Sequence, residues 1–184
     1  GDSFYGAACA GTRIWVVGDL GVLLHSSDRG TTWVQQSTYT TLTLLSVSFT
    51  DELHGWAVGD NGVLMRTTDG GANWTQGTSG TATPLYGIDM KSGAQGWTVG
   101  EYGAIRHTAD GSWWTPQTSP VSTVLWSTSF VNELHGYAAG GSGVLLRTTD
   151  GGGPWTPGFT GTTRNVYAAG GASVSQAHAI GDTG

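Results

Sequence analysis

The chain has 184 residues, 32 of them Gly, 27 Thr and 16 Ser, and seven basic side chains against thirteen acids leave a formal net charge of −6. Scattered arginines in an acidic chain exclude the clustered basic footprint of a nucleic-acid binder, and no stretch reaches the roughly 20 apolar residues of a membrane span. Nine Trp, six Tyr and four Phe carry more apolar surface than a disordered linker, while Gly, Thr and Ser interrupt every window long enough for a helix. Cys9 is the one cysteine, so neither an intrachain disulfide nor a cysteine metal cluster is expected. Low Lys with abundant Thr, Ser and Gly leans toward a location outside the cytoplasm, whether secreted, periplasmic or lumenal.

Taken in chain order, the elements repeat. A strand-like segment comes first, aligned on Tyr5, Leu45, Tyr86, Trp126 and Tyr167, with Cys9, Phe49, Met90 and Phe130 four residues on. Between these columns lie the small residues Gly6, Ser46, Gly87, Ser127 and Ala168. Period two therefore expects one face of large side chains filling the gap between repeats and one small face toward an axis. A second motif follows as WVVGDLG (15–21), WAVGDNG (56–62), WTVGEYG (97–103) and YAAGGSG (137–143), with a fifth copy, HAIGDTG, at 178–184. A third closes each repeat as SSDRGTTW (26–33), TTDGGANW (67–74), TADGSWW (108–114) and TTDGGGPW (148–155). Its acids Asp28, Asp69, Asp110 and Asp150 are 41, 41 and 40 residues apart, and Trp33, Trp74, Trp114 and Trp155 are 41, 40 and 41 apart.

Four strands of about five residues with links of about four fill such a period, and a period of roughly 40–45 with four strands per unit is a β-propeller blade. The reading is all-β: antiparallel four-stranded blades at about 3–40, 41–80, 81–120 and 121–161, and a half-blade at 162–184. The chain opens Gly1-Asp2 without an initiator Met, and Gly184 aligns with Gly21, Gly62, Gly103 and Gly143 inside a turn. A half-blade would expose a sheet edge, so the expectation is a piece of a larger propeller of about six to eight blades, or two copies that cover each other's edges. A closed five-bladed ring is the alternative.

The closing motif, Ser/Thr-x-Asp-x-Gly-x-x-Trp, resembles the Asp-box, or BNR repeat, of sialidases, sortilin-type receptors and xyloglucan-cleaving glycoside hydrolases. Together with Gly-Trp-Ala-Val-Gly-Asp-x-Gly before it, the chain resembles the photosystem II stability/assembly factor propellers and their bacterial secreted relatives. That resemblance implies a propeller that binds a protein partner through an arginine-bearing surface. The residues themselves give the box a structural role: the Asp accepts backbone N–H bonds two residues on, Gly supplies a positive φ, and the Trp buries its ring. The third box, with Ser112 for Gly and one residue fewer, is expected to turn differently. Asn73-Trp74-Thr75 is formally a glycosylation sequon and reads first as turn chemistry.

Outside the boxes, Asp19, Asp60, Glu101 and Asp182 form an acidic column broken by Gly141, on the face that carries the links between blades. They read as a turn preference or as a ring for a cation or a basic partner. Arg66 and Arg147 share a third-strand column with His25 and His107, with Arg106 one position earlier. They read as surface arginines or as a partner-facing patch, not as a converging carboxylate clamp. Asp89 is the one inner-strand carboxylate, with Lys91 two residues on and pointing the same way; it reads as an ion pair or wet channel lining, or else as the candidate for a site in the central channel. Its column neighbours Ala8, Ser48, Ser129 and Gly170 supply no second carboxylate for glycoside hydrolysis. His54 and His135 repeat in Glu-Leu-His-Gly and read as loop residues. No metal or cofactor is expected. The functional expectation is a non-catalytic scaffold for a protein partner; the alternative is a carbohydrate-active propeller, enzyme or lectin-like, whose sugars would stack on Tyr5, Tyr86, Trp126 and Tyr167.

Overall fold

The computed structural model describes residues 3–174 and 176–182, and these form antiparallel sheets arranged as blades. The first blade holds β1 (Phe4–Ala10), β2 (Arg13–Gly18), β3 (Leu23–Ser26) and β4 (Val34–Gln36). The second holds β5 (Leu44–Phe49), β6 (Gly55–Gly59), β7 (Leu64–Thr67) and β8 (Thr75–Gln76). β9 (Leu85–Met90), β10 (Gly96–Gly100), β11 (Ile105–Thr108) and β12 (Trp114–Pro116) make the third. The fourth consists of β13 (Leu125–Phe130), β14 (Gly136–Gly140), β15 (Leu145–Thr148) and β16 (Thr156–Pro157). β17 (Val166–Ser173) and β18 (Gln176–Gly181) pair as a fifth, two-stranded sheet. Gly184, the last glycine of the turn column, lies outside the described residues.

The innermost strands pack side by side, β1 on β5, β5 on β9, β9 on β13 and β13 on β17, and no comparable packing joins β17 to β1. The described residues are an open arc of an all-β propeller, not a sealed ring.

Each inner strand departs from period two after its first residue, and β17 does so again between Gly171 and Ser173. Leu44 faces Gly59 and Ser46 faces Val58, so Leu45 is an extra, bulged residue. The same irregularity falls at Tyr5, Tyr86, Trp126 and Tyr167. A bulge redirects the side chains on either side of it. The residues that fill the gap between blades are therefore Leu44, Val47 and Phe49 and their equivalents, whereas the Tyr5 column is turned out of that gap. This corrects the expectation that both large columns share one face: one inserted residue reverses the alternation.

The small face is the seam between inner strands. Ser46 Oγ accepts from the Ile88 N–H at 3.3 Å and Ser48 Oγ from Met90 N–H at 3.1 Å, while Ser127 Oγ accepts from Ala169 N–H at 3.2 Å. A side-chain oxygen on one inner strand thus caps a backbone donor on the next, satisfying groups that the sheet ladders leave open.

A second period is superimposed. Trp15 stacks on Phe49 of the following blade at 3.5 Å between ring centroids, and Trp97 stacks on Phe130 at 3.6 Å. His25 lies on the other side of Trp15 and His107 on the other side of Trp97. Blades two and four instead place Arg66 beside Trp56 and Arg147 opposite Tyr137. Odd and even blades alternate, so the packing unit is a pair of blades.

Candidate functional site

The arc has two rims. The turns between second and third strands share one rim with the links between blades, since the N–H of Asp60 donates to Thr43 O, that of Glu101 to Pro84 O and that of Asp182 to Asn165 O. In each of the four complete blades this is one 3₁₀ turn, such as Asp60–Gly62. Gly62 has φ +68, and a Cβ there would stand 2.1 Å from Thr81 O, so both conformation and space require glycine. The residue before it is left-handed as well: Leu20 and Tyr102, 69% and 72% exposed, occupy that position in the first and third blades.

The acidic column stands on this rim. Tyr5 OH donates to Asp19 Oδ1 at 3.0 Å, and Tyr86 OH donates to Glu101 Oε2 at 2.8 Å. The bulge makes these contacts, because it aims the Tyr column at the turn. Burial, the bond to Glu101 and the charges of Glu101 and Asp60 together push the Tyr86 phenol up to about 12. Acids of adjacent blades therefore act on one phenol. Asp19 is held below the usual carboxylate range by the Ser3 N–H and by Tyr5. Gly141 replaces the acid where Trp126 replaces the tyrosine, and Trp126 bridges the row, its ring 4.8 Å from that of Tyr86 and 6.4 Å from that of Tyr167. Trp126 Nε1 is enclosed without a hydrogen-bond partner. The link rim thus carries carboxylates alternating with aromatic rings.

The opposite rim carries the boxes. In the second, Asp69 Oδ1 accepts from Asn73 N–H at 2.9 Å and from Thr67 Oγ1 at 2.8 Å, and Asp69 Oδ2 accepts from Asn73 Nδ2 at 2.8 Å. The donor two residues on, Gly71 N–H, goes to Thr67 Oγ1 instead. Asp28 repeats this with Thr32 and Ser26. The carboxylate spans four residues in these boxes, not the two expected, because the Ser/Thr hydroxyl takes the nearer donor. The shortened third box does differ: Asp110 Oδ1 accepts from Ser112 and Trp113 N–H, two and three residues on. In the fourth, Asp150 accepts from Gly152 and Gly153. Hydrogen bonds to the ionised form hold Asp28 and Asp69 down to about 2, through Thr32 first and Asn73 first, respectively. These carboxylates are occupied by their own turns, and Asn73 of the sequon is bonded within its box.

The box tryptophans are unequal. Trp74, Trp114 and Trp155 are 3%, 5% and 4% exposed, against 41% for Trp33. Each buried one packs on the preceding blade, Trp74 among Trp15, Val17 and Leu23. Trp74 Nε1 donates to Gln36 Oε1 and Trp155 Nε1 to Gln117 Oε1. Trp114 finds Gly77 where these glutamines stand, and its Nε1 is buried without a partner.

The third-strand arginines are spent between blades. Arg66 Nη1 donates to Ser112 Oγ at 2.7 Å in the next box, with the guanidinium 5.5 Å above the Trp56 ring. Arg147 Nη2 donates to Val174 O at 3.3 Å. Arg106 lies near Gly80 of the preceding blade. They are not brought into one patch with the link-rim acids. Asp89, expected in the channel, spans the seam: its Oδ2 accepts from Phe130 N–H at 2.6 Å, its Oδ1 pairs with Lys91 Nζ at 3.0 Å, and Lys91 donates to Phe130 O. Burial pushes its carboxyl up, opposed by Lys91 and the Phe130 N–H. It does for the third seam what Ser48 does for the second. His54 Nδ1 lies 2.8 Å from Asp51 and His135 Nδ1 3.1 Å from Asn132, each within its own loop. No group of three or more metal-ligating side chains occurs among the described residues.

The tyrosine–acid pairs and the Trp–Gln bridges were not anticipated from sequence. Both left a signal there: Tyr5/Asp19 and Tyr86/Glu101 lie 14 and 15 residues apart, and Gln36, Gly77, Gln117 and Gly158 alternate with the box spacing.

The family model described as photosynthesis system II assembly factor YCF48 matches residues 31–116. No curated protein sequence matches the chain. Among solved structures, "YCF48 bound to D1 peptide" is 18% identical with a TM-score of 0.60, covering 100% of this chain and 77% of that one. YCF48 from Cyanidioschyzon merolae is 17% identical, with a TM-score of 0.50 and 98% and 77% covered. The GH74 xyloglucanase from Xanthomonas campestris is 13% identical with a TM-score of 0.71, covering 90% of this chain and 33% of that one. At such identities the structures show the β-propeller fold, and over residues 31–116 the chain is similar to the assembly-factor family of BNR repeats. No helix among the described residues is long and apolar enough to cross a membrane.

Proposed function

We propose that this assembly-factor-like propeller is a non-catalytic scaffold whose link rim receives an extended, positively charged segment of a protein partner, outside the cytoplasm. The supporting observation is the division of labour among carboxylates. Those of the boxes are bonded inside their own turns, whereas on the link rim Asp19 and Glu101 take hydrogen bonds from Tyr5 and Tyr86 and stand with Asp60 and Asp182 among tyrosine and tryptophan rings. Basic side chains meet both carboxylates and π-faces favourably. A similar propeller named as holding a peptide supports the mode of binding. Ordinary glycoside hydrolysis would require two carboxylates flanking the bond, and Asp89 is committed to Lys91 and Phe130 N–H.

The unpartnered Nε1 of Trp126 beside two tyrosine rings favours a second reading, a sugar stacked on this row. Titration with basic, neutral and acidic synthetic peptides separates the two. Salt-dependent binding of the basic set, weakened at least about tenfold in the Asp60→Asn/Glu101→Gln double variant, is expected. Binding of no peptide, with a specific hit on a glycan array or turnover of xyloglucan, would replace the first reading by the second.

A further inference from the structure

The boundary between the second and third blades lacks a group that the boundaries on either side of it share. Between the first and second blades, the Gln36 carboxamide accepts the Trp74 Nε1–H on its oxygen and donates from Nε2 to Gly70 O. Between the third and fourth, Gln117 does the same for Trp155 and Gly151. The middle boundary offers the matching groups: Trp114 for the box tryptophan, and Gly111 for the glycine, whose carbonyl takes the Trp56 Nε1–H as Gly70 O takes that of Trp15. The glutamine position, however, is Gly77, three residues after Trp74 as Gln36 is three after Trp33. Thr78 bridges to Trp113 across the same boundary, so Gly77 stands against the third box.

A hollow of about 220 Å³ lies in the place of the missing side chain, its wall including Leu64, Arg66, Gly77, Gly111 and Ser112. Two donors are stranded there. Trp114 is only 5% exposed, and its Nε1 and the Nε of Arg66 are enclosed without a hydrogen-bond partner among the described residues. The exchange that removes the glutamine also changes the charge. The third-strand position is His25 in the blade of Gln36 and His107 in the blade of Gln117, but Arg66 in the blade of Gly77. The slot thereby loses an acceptor and gains a cation. No carboxylate of the protein answers it: the ion pairs among the described residues are Arg13–Glu52, His54–Asp51 and Lys91–Asp89. Asp110, the box acid at this boundary, accepts from Ser112 and Trp113 N–H instead. Enclosed donors without acceptors are costly. One water occupies about 30 Å³, far less than the hollow, and brings no charge to the guanidinium.

We infer that this hollow is a binding site for the carboxylate of a small organic anion, held between the second and third blades by Trp114 and Arg66. One carboxylate oxygen accepts from Trp114 Nε1 and the other from Arg66 Nε, and charge-assisted bonds of this kind are the strong ones. Ser112 Oγ, which accepts from Arg66 Nη1, has its own proton to donate to the same anion. Gly111 O already has the Trp56 N–H and needs no donor from the ligand, which removes the reason for an amide there. Leu64 supplies an apolar wall for the short carbon chain. The anion does for this boundary, from solution, what Gln36 and Gln117 do for the other two as part of the chain. The hollow borders the box rim, so the site is independent of the function proposed for the link rim.

Titration with acetate at constant ionic strength, followed by NMR at the indole N–H resonance of Trp114, tests it; loss of the resonance in Trp114→Phe identifies it. Acetamide, neutral and of the same shape, is the control. A saturable shift with acetate at an affinity of about millimolar is expected, with acetamide at least about tenfold weaker. Arg66→Met should weaken acetate binding at least about tenfold. Gly77→Gln, which puts the carboxamide of the other boundaries into the hollow, should abolish it and shift the indole resonance without any anion. Gly77 has no positive φ, and a Cβ there meets Leu64 Cδ2 at 2.7 Å, the movable end of a side chain, so this variant keeps the fold. A Trp114 resonance indifferent to acetate up to about 100 mM overturns the inference and leaves the donors to water. Equal responses to acetate and acetamide, or acetate binding that survives Gly77→Gln, overturn it as well. Acetate binding in a protein that takes up no basic peptide would sink the link-rim reading and leave this site standing.

Discussion

Trp74 Nε1 donates to Gln36 Oε1 at 3.2 Å across the boundary between the first two blades, 38 residues apart in sequence. The box thus does more than shape its own turn: its tryptophan is the outer bolt of the blade interface. Trp74→Ala should leave a cavity and an unpaired Gln36, costing about 3 kcal/mol. Trp33→Ala, at the same place in its repeat but 41% exposed, should cost under about 1 kcal/mol. Urea denaturation of the two variants checks the difference; equal losses would mean that the box Trp acts within its own blade.

The box carboxylates give an acid limb to the stability curve. Asp69→Ala removes an acceptor for Asn73 N–H and should cost about 1–2 kcal/mol. Because the folded values of Asp28 and Asp69, about 2, lie below the unfolded ones, the stabilisation is complete above about pH 4 and fades as pH falls through 2. Thermal unfolding between pH 5 and 2 should show this limb, flattened in Asp69→Asn.

A second limb belongs to the histidines. Burial holds the His25 and His107 imidazoles below their usual value, and at His25 the charge of Arg13 adds to the effect. A depressed folded value makes this contribution complete above about pH 6.5 and lost as pH falls below it. The double variant His25→Phe/His107→Phe should lose this dependence while keeping the lower one, which melting curves at pH 7.5 and 5.0 would show.

Asp89 and Lys91 test the seam. Lys91→Met leaves a half-buried carboxylate without its cation and should destabilise by about 1–3 kcal/mol, the exposure of the pair discounting a fully buried value. Asp89→Ser/Lys91→Met, which recreates the arrangement of Ser48, should recover most of that loss. A double variant no more stable than Lys91→Met would show that the serine cannot reach Phe130 N–H.

The propeller was legible because two motifs recur in one register, and only a four-stranded unit fits about 41 residues. The bulge at Tyr5, Leu45, Tyr86, Trp126 and Tyr167 was not, because one inserted residue leaves the composition of the strand unchanged while reversing what faces the core. The pairing of Asp89 with Lys91 was readable, but the interblade bonds of Asp89 and Arg66 were not, for another reason. A charge on a strand reads as free until the neighbouring blade is in place, and their partners, Phe130 N–H and Ser112 Oγ, lie 41 and 46 residues away. The box Asp was recognisable as a turn acceptor, but the competition between its carboxylate and the preceding Ser/Thr hydroxyl for Gly71 N–H is a matter of geometry.

Since each seam ties an inner strand only to the next one, the arc behaves as a short one-dimensional lattice. Its cooperative unit is the boundary between blades, and stability accumulates boundary by boundary. Amide exchange should then be slowest in β5, β9 and β13, which have a neighbour on either side, and fastest in β1 and β17. Unfolding would start from the ends and run inward.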